Sequence, residues 1–465
     1  MSNILKVYAP YDQSLIKEIP LVGKAEAEKA LETANQLFLD QHTWIPAHKK
    51  KSILNKVASL MNDQIHELAL TAAQEGGKPY TDSKVEVLRA IDGIRIANEE
   101  ISHLGGKQVP MGLMASSTGR IAFTTREPIG VVLSISAFNH PLNLIVHQTI
   151  TAFAAGCPVI IKPAPNTPIS CLAFIEILKK AGVPEGWVQC IICDNETAEF
   201  MVTDNRVNYF SFIGSARVGW YLKSKLAPGT RCALEHGGVA PVIVEKDADL
   251  ESMLPLLIKG SFYHAGQVCV SVQRIYVQHD MAEDLAAEIV IKANALKVGD
   301  PLDEETDVGP LISPEEVDRI DTWVKEAEEK GAKILCGGKR LSATCYSPTV
   351  LFDPPKDAKM SKEEVFGPVV CIYPFRDRKE AIQLANQLDY HFQAAVFTKN
   401  LDIALECVNQ LNATCVMVND HTAFRVDWMP FGGRDASGEG MGGIPYAIQE
   451  MTRIKMMVIK SDSIL

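Results

Sequence analysis

From Gly130 to about Glu245, short apolar runs alternate with segments of helical periodicity, and no other feature of the sequence limits the fold as much. The runs at 130–136, 157–161, 188–193 and 209–213 read as strands, with a helix over 169–181 and another after Ile213. Such alternation predicts parallel strands joined by crossover helices. A second alternation follows Cys269, where strands at 274–277, 369–373, 394–397 and 415–418 are separated by amphipathic helices. The chain therefore reads as α/β with two such units. At 465 residues it exceeds what one ordinary core organises, so two or three domains are expected.

Ahead of the alternation, apolar residues recur at helical spacing over 24–38, 50–74 and 82–100, and the second helix is expected to stop at Gly76-Gly77-Lys78-Pro79. Residues 118–127 are polar and extended, a hairpin strand or linker. The last fifteen residues, with Ile454, Met456 and Val458 alternating, read as a strand without a local partner, which predicts pairing with another subunit. A net charge of -11 with no lysine or arginine block leaves no electrostatic footprint for nucleic acid. The longest apolar stretches, such as 130–138, fall short of the ~20 residues that span a bilayer, so a soluble protein is expected. The eleven cysteines have no regular spacing and no cleavable apolar leader follows Met1-Ser2-Asn3-Ile4-Leu5-Lys6, so reduced thiols and a cytoplasmic location are expected.

Cys269 stands in Gly266-Gln267-Val268-Cys269-Val270, behind a small flexible residue and between two β-branched ones. An isolated cysteine is ordinarily a buried small hydrophobe, and its chemistry begins only where the thiolate is favoured. Two other residues give it company. Asn139 sits at the strand-to-helix turn Ala137-Phe138-Asn139-His140-Pro141, either as a helix cap or as a donor to a developing oxyanion, a role worth roughly 3 kcal/mol. Glu235, in Ala233-Leu234-Glu235-His236-Gly237-Gly238, is a strand-end carboxylate, either a surface group or a general base for water. His236 is expected to point the other way and to pack.

His140, Asn143 and His147 fall at i, i+3 and i+7 in an otherwise apolar helix, as satisfied buried polar groups or as the polar lining of a substrate passage. No further ligand has a spacing suited to a metal, so none is expected. Phe212-Ile213-Gly214-Ser215-Ala216-Arg217-Val218-Gly219 follows a strand and opens a helix, where main-chain donors could face a phosphate, although a plain helix start reads the same. Lys162 ends the strand 157–161, at the edge where open α/β sheets bind ligands. Cys190 and Cys193 form a C-x-x-C inside an expected strand and are read as structural.

Seven motifs in order, Ala137-Phe138-Asn139-His140-Pro141, Ile161-Lys162-Pro163-Ala164, Phe212-Ile213-Gly214-Ser215, Leu234-Glu235-His236-Gly237-Gly238, Gly266-Gln267-Val268-Cys269, Glu364-Val365-Phe366-Gly367-Pro368 and Pro430-Phe431-Gly432-Gly433, make the chain resemble the aldehyde dehydrogenase superfamily over essentially its whole length. The resemblance implies a Rossmann-like cofactor domain at 1–110 and 129–238, an α/β catalytic domain at 239–430, and bridging or oligomerisation elements at 111–128 and 431–465. It implies a homodimer or homotetramer. It also implies that Cys269 attacks an aldehyde, that Asn139 and the Cys269 amide hold the oxyanion, and that Glu235 activates the water that hydrolyses the thioester. Lys162 and Glu364 match positions that hold the two riboses of NAD or NADP, Gly214 and Ser215 lie in the motif that meets the pyrophosphate, and Phe366 matches a position beside the nicotinamide ribose.

Departures from the pattern shape the rest. Pro165 stands where many NAD-preferring relatives carry a glutamate, so NADP can be accepted as well as NAD. Glu235 argues against the branch that releases acyl-CoA. His140, Arg89 and the run Phe424-Arg425-Val426-Asp427-Trp428-Met429 look like the branch acting on phosphono-, sulfo- and lactaldehyde-type substrates, with Arg89 and Arg425 as candidate anion binders. Against this, Val268 stands where anion-selective relatives often place an arginine, Arg89 could pair with Glu86 or Asp92, and Arg425 with Asp427. A small polar or anionic aldehyde is expected; the alternatives are a broad enzyme for uncharged aldehydes, a thiol esterase and a non-catalytic scaffold.

Overall fold

The structure, a computed structural model, describes residues 4–464. Its first sheet has six strands in the order Gly438–Glu439, Arg231–Glu235, Val207–Ile213, Val131–Ile135, Val159–Lys162, Val188–Cys190, parallel except at the Gly438–Glu439 edge. All five residues of Val131–Ile135 are buried, as a central strand covered on both faces requires. From this strand the chain runs outward through Val159–Lys162 and Val188–Cys190, then returns to its other side as Val207–Ile213. The strand order therefore reverses between Val131–Ile135 and Val207–Ile213, and their carboxyl ends open a crevice of the kind in which α/β sheets bind ligands. Asn139 follows one strand and Gly214 the other.

Every residue of the helix Asn143–Ala155 is buried, so this helix is core on all sides and its polar members have to be satisfied inside the protein. The second sheet has seven strands in the order Lys333–Cys336, Thr349–Phe352, Val369–Phe375, Arg274–Gln278, Pro241–Val244, Gln393–Phe397, Cys415–Val418, parallel except for Lys333–Cys336. The four strands expected after Cys269 are all in it. Pro241–Val244, Thr349–Phe352 and Lys333–Cys336, which the sequence did not mark, complete it.

Several local expectations change. The helix expected over 50–74 is two helices, Ala47–Asn62 and Ile65–Gly76, broken where Asn62-Asp63-Gln64 places three polar residues, two of them weak helix formers, in succession. The strand expected over 188–193 ends at Cys190, whose sulfur lies 3.6 Å from that of Cys171. The C-terminal strand has a partner within the chain: Thr452–Lys460 pairs antiparallel with Arg120–Pro128 over its full length, with Gln108–Val109 beyond. The segment 431–465 is itself divided, since Gly438–Glu439 joins the first sheet and Ile444–Glu450 packs on the helices Asn143–Ala155 and Tyr80–Glu100. No helix among the described residues is long and apolar enough to cross a membrane.

Candidate active site

A cavity of about 690 Å³ occupies the crevice and extends toward the second sheet, with Asn139, Glu235 and Cys269 all on its wall. Cys269 is delivered there by a sharp reversal after the helix Leu250–Phe262. His264, Ala265 and Gly266 take φ values of 49°, 53° and 70° in succession. At Gly266 a Cβ would lie 2.1 Å from the Gly367 carbonyl oxygen, so only glycine fits that turn. The Ser271 amide donates to the Val268 carbonyl at 2.9 Å and the Thr422 hydroxyl to the Val270 carbonyl at 2.6 Å, fixing the Cys269 segment from both sides. Burial, then the Glu235 and Glu364 carboxylates, push the Cys269 thiol up to about 12, with Arg425 opposing. The resting sulfur is thus a protonated thiol that becomes reactive when a base or a new positive charge arrives.

Asn139 is no helix cap. The first helical amides, those of Leu142 and Asn143, donate instead to Glu86 Oε1 at 2.9 Å each. The Asn139 amide donates to the Gln267 carbonyl at 2.9 Å, and Gln267 is itself held by its Nε2 on the Pro310 carbonyl and its Oε1 under the Ile312 amide. A primary amide carries two donor hydrogens, so one remains for an oxygen at Cys269.

Glu235 ends the strand Arg231–Glu235, and burial raises its pKa while Arg425 opposes the shift. Its place is on the cavity wall. Gly442 lies against it so closely that a Cβ there would stand 2.3 Å from Glu235 Oε1. His236 packs as expected, between the Phe212 and Trp220 rings, with Nδ1 3.1 Å from the Gly214 carbonyl.

Toward the other end, the wall is formed by Ala164-Pro165-Asn166, Gly214 and Ser215. The Ser215 side chain makes no capping bond to the helix Ala216–Lys223. Lys162 does not reach this wall: it is buried at the end of Val159–Lys162, its pKa lowered by desolvation against the influence of Cys193 and Asp194. Glu364 faces the cavity with Oε1 accepting from the Gly238 amide at 3.2 Å, its carboxyl pushed up to about 8 by burial. Phe366 has a strained φ of 48° and meets Phe138 edge to face, ring centres 5.9 Å apart.

At the remaining end, the partners differ from those expected for Arg89. Neither Glu86 nor Asp92 pairs with it; it makes a two-pronged bond to Asp427, at 2.8 and 3.2 Å. Asp427 also meets His147 Nε2 at 2.9 Å and lies 3.7 Å from Arg425 Nε, and these neighbours hold its carboxyl well below the usual range. His147 thus stands behind Asp427 and walls a second, smaller cavity rather than the main one, while His140 and Asn143 face the main cavity. Glu86 is committed to Lys78, both fully buried, and Lys78 Nζ lies 2.7 Å from His140 Nδ1. Burial and the Lys78 charge bring His140 down to about 4. Lys78, Glu86 and Asp427 were not singled out as site residues by the sequence. Lys78 read as part of a helix stop, and only its fit to a buried acid on the next helix gives it away.

Two guanidiniums therefore meet at the Asp427 carboxylate, while desolvation keeps His147 toward its neutral form and Arg425 also faces Glu235. The Arg425 guanidinium lies 3.6 Å above the Phe431 ring, and its Nε is buried without a hydrogen-bond partner, as is Asn143 Oδ1. Such orphaned atoms carry a cost that a bound ligand can relieve.

The model of the aldehyde dehydrogenase family matches residues 1–457. The chain is 40% identical over 456 residues to the 3-sulfolactaldehyde dehydrogenase of Priestia aryabhattai, covering 98% of this chain and 94% of that protein. Among solved structures, aldehyde dehydrogenase 21 of Physcomitrella patens, in complex with its reaction product succinate, is 35% identical with a TM-score of 0.96, covering 100% of this chain and 96% of that one. The glyceraldehyde-3-phosphate dehydrogenase of Methanocaldococcus jannaschii, complexed with NADP, is 37% identical with a TM-score of 0.94, covering 99% and 100%.

Proposed function

The chain belongs to the aldehyde dehydrogenase family, and from that premise we propose that it oxidises a small aldehyde with an anionic tail to the carboxylic acid, using NAD or NADP. One observation carries the choice of substrate: Arg89 and Arg425 both line the cavity that holds Cys269, and the buried Arg425 Nε has no hydrogen-bond partner there. A buried guanidinium with an unmade hydrogen bond favours an anionic partner. Names of three similar proteins fit the same reading, since 3-sulfolactaldehyde, glyceraldehyde 3-phosphate and succinate all carry an anionic group, whereas the lactaldehyde of a 38% identical relative is uncharged. Asn143 Oδ1, unpaired on the same side, is an acceptor for a substrate hydroxyl. Val268 contributes no charge, so the anion is met from the helix Tyr80–Glu100 and the 424–429 loop instead.

The crevice suits a dinucleotide. The backbone of Gly214 and Ser215 approaches it at a helix start, the Glu364 carboxylate faces it, and no carboxylate stands at Ala164-Pro165-Asn166 to repel a 2'-phosphate. Asp194, near Lys162, is committed to the Thr197 amide at 2.8 Å. When bound, the nicotinamide accepts the hydride. Cys269 supplies the sulfur that adds to the aldehyde carbon, and the spare Asn139 N–H meets the oxygen as it becomes an oxyanion. Glu235 takes the proton of the water that cleaves the thioester, its raised pKa placing it nearer neutrality than a free carboxylate. In this reading residues 1–110 and 129–238 hold the cofactor, 239–430 carry the nucleophile, and the exposed outer strand Thr452–Lys460 joins copies into a homodimer or homotetramer.

The test is reduction of NAD and of NADP by the purified protein with sulfoacetaldehyde, phosphonoacetaldehyde, succinic semialdehyde, lactaldehyde, glycolaldehyde, propanal and benzaldehyde. The expected result is a kcat/KM advantage for the charged members that disappears in Arg425→Ala. Higher kcat/KM for the uncharged aldehydes would overturn the substrate assignment.

A further inference from the structure

Behind Glu235 lies a second cavity, of about 30 Å³, whose wall includes Glu235 and Arg425 but not Cys269. One water needs about 10–15 Å³ by the same measure, so about two fit. The lining asks for them. Gln148 donates its amide to the Ser211 hydroxyl at 3.0 Å and leaves its own carbonyl oxygen buried without a partner.

Tyr209 forms part of the same wall. It is 1% exposed, and its hydroxyl donates to Glu450 Oε2 at 3.1 Å. Glu450 is half-buried and borders an open surface depression together with Lys223 and Glu439. The two carboxylates flank one short loop: a Cβ at Gly442 would stand 2.3 Å from Glu235 Oε1, and one at Gly440 3.3 Å from Glu450 Oε2. Glycine at both positions keeps the space between them clear.

We propose that protons taken up by Glu235 reach solvent through this rear cavity, by way of buried water, the Tyr209 hydroxyl and Glu450. The route rests on the reading of Glu235 as the base. The Cys269 thiol gives up its proton to Glu235 as the sulfur adds to the aldehyde. Hydrolysis then splits one water: its oxygen bonds to the acyl carbon as the C–S bond breaks, one proton passes by way of Glu235 to the departing sulfur, which returns to the thiol, and the acid product loses the other. Glu235 must therefore discharge one proton per turnover before it can act on water, while substrate and dinucleotide fill the cavity in front of it. At the rear, a water takes the proton from Glu235 and passes one on to the Tyr209 oxygen as the hydroxyl hydrogen moves to Glu450. Tyr209 stays neutral throughout, and Glu450 releases the proton at the surface.

The experiment measures decay of the acyl-enzyme by rapid quench in the full-length enzyme, with the best aldehyde of the panel, for Tyr209→Phe, Glu450→Gln and Glu235→Gln. The burst of reduced cofactor reports the earlier steps. In dilute buffer, Tyr209→Phe and Glu450→Gln are expected to keep the burst rate and slow acyl-enzyme decay roughly tenfold, at or below the low end of acid–base effects. Imidazole at high concentration is expected to restore the decay, which a merely structural role would not allow. Decay at the wild-type rate in both variants, or slow decay that imidazole leaves unchanged, overturns the route. If Glu235→Gln traps the acyl-enzyme while the other two turn over normally, the base stands and the route falls. Normal decay in Glu235→Gln removes both.

Discussion

The Asn139 side-chain amide donates to the Gln267 carbonyl at 2.9 Å, joining the turn after the central strand of one sheet to the segment that carries Cys269 beside the other. The bond orients the second amide hydrogen and ties two halves of the site together. Replacing Asn139 by alanine is expected to lower kcat by about 10²–10³-fold, the usual loss of one oxyanion donor. Stopped-flow measurement of the burst should place the loss in its rate rather than in acyl-enzyme decay.

Arg425 and Arg89 are expected to differ in what they contribute. Arg425 has its Nε without a hydrogen bond, 3.7 Å from Asp427, whereas Arg89 is held by Asp427 with two bonds. Arg425→Ala should cost anionic aldehydes about 10–100-fold in kcat/KM, the equivalent of one charged hydrogen bond of ~1.5–3 kcal/mol. Propanal, which has no charge to lose, should change far less. Arg89→Ala also leaves Asp427 without its main cation, so it should lower thermal stability as well as kcat/KM.

The Cys269 thiol, pushed up to about 12, is protonated throughout the neutral range in the free enzyme. Alkylation of Cys269 by iodoacetamide, followed by peptide mass spectrometry, should therefore rise about tenfold per pH unit between pH 7 and 10 without a plateau. Glu235→Gln removes a carboxylate that disfavours the thiolate, so it should speed alkylation at fixed pH. A plateau near neutrality would mean a thiolate already formed at rest.

Glu75 is fully buried and receives the Ile169 and Ser170 amides at 2.7 and 2.8 Å, yet burial pushes its carboxyl up to about 7. The sign follows from linkage. With the folded pKa above the unfolded one, the stabilising proton is fully bound below about 4.5 and is lost as pH rises through about 7. Tm should therefore fall between pH 5 and 8 by an amount worth ~1–3 kcal/mol, and Glu75→Gln, which cannot ionise, should flatten that decline. An unchanged slope in the variant would rule out Glu75 as its source.

The candidate site residues stood out in the sequence wherever they depend on near neighbours. Strand and helix alternation from Gly130 onward follows from side-chain periodicity, and Cys269, Asn139 and Glu235 each announce themselves by the glycines and strand ends beside them. The reversal at Gly266 needs a residue without a Cβ, and that constraint is written in the residue itself. What lay beyond reach were choices between partners. Arg89 had acids within one helical turn on its own helix, but its partner is Asp427, 338 positions away. The alternating pattern of the C-terminal strand did not show a partner; only the resemblance grouped it with the stretch before Pro128, against which it pairs. Asn139 could have capped a helix until Glu86 was found already occupying the first amides. Local pattern is set by φ, ψ and side-chain spacing over a few residues, so the sequence alone determined most of the elements and the candidate site residues. Which buried charge meets which, and whether a side chain faces the cavity, depends on where distant segments pack and on the desolvation that packing imposes, and only the tertiary structure decided that.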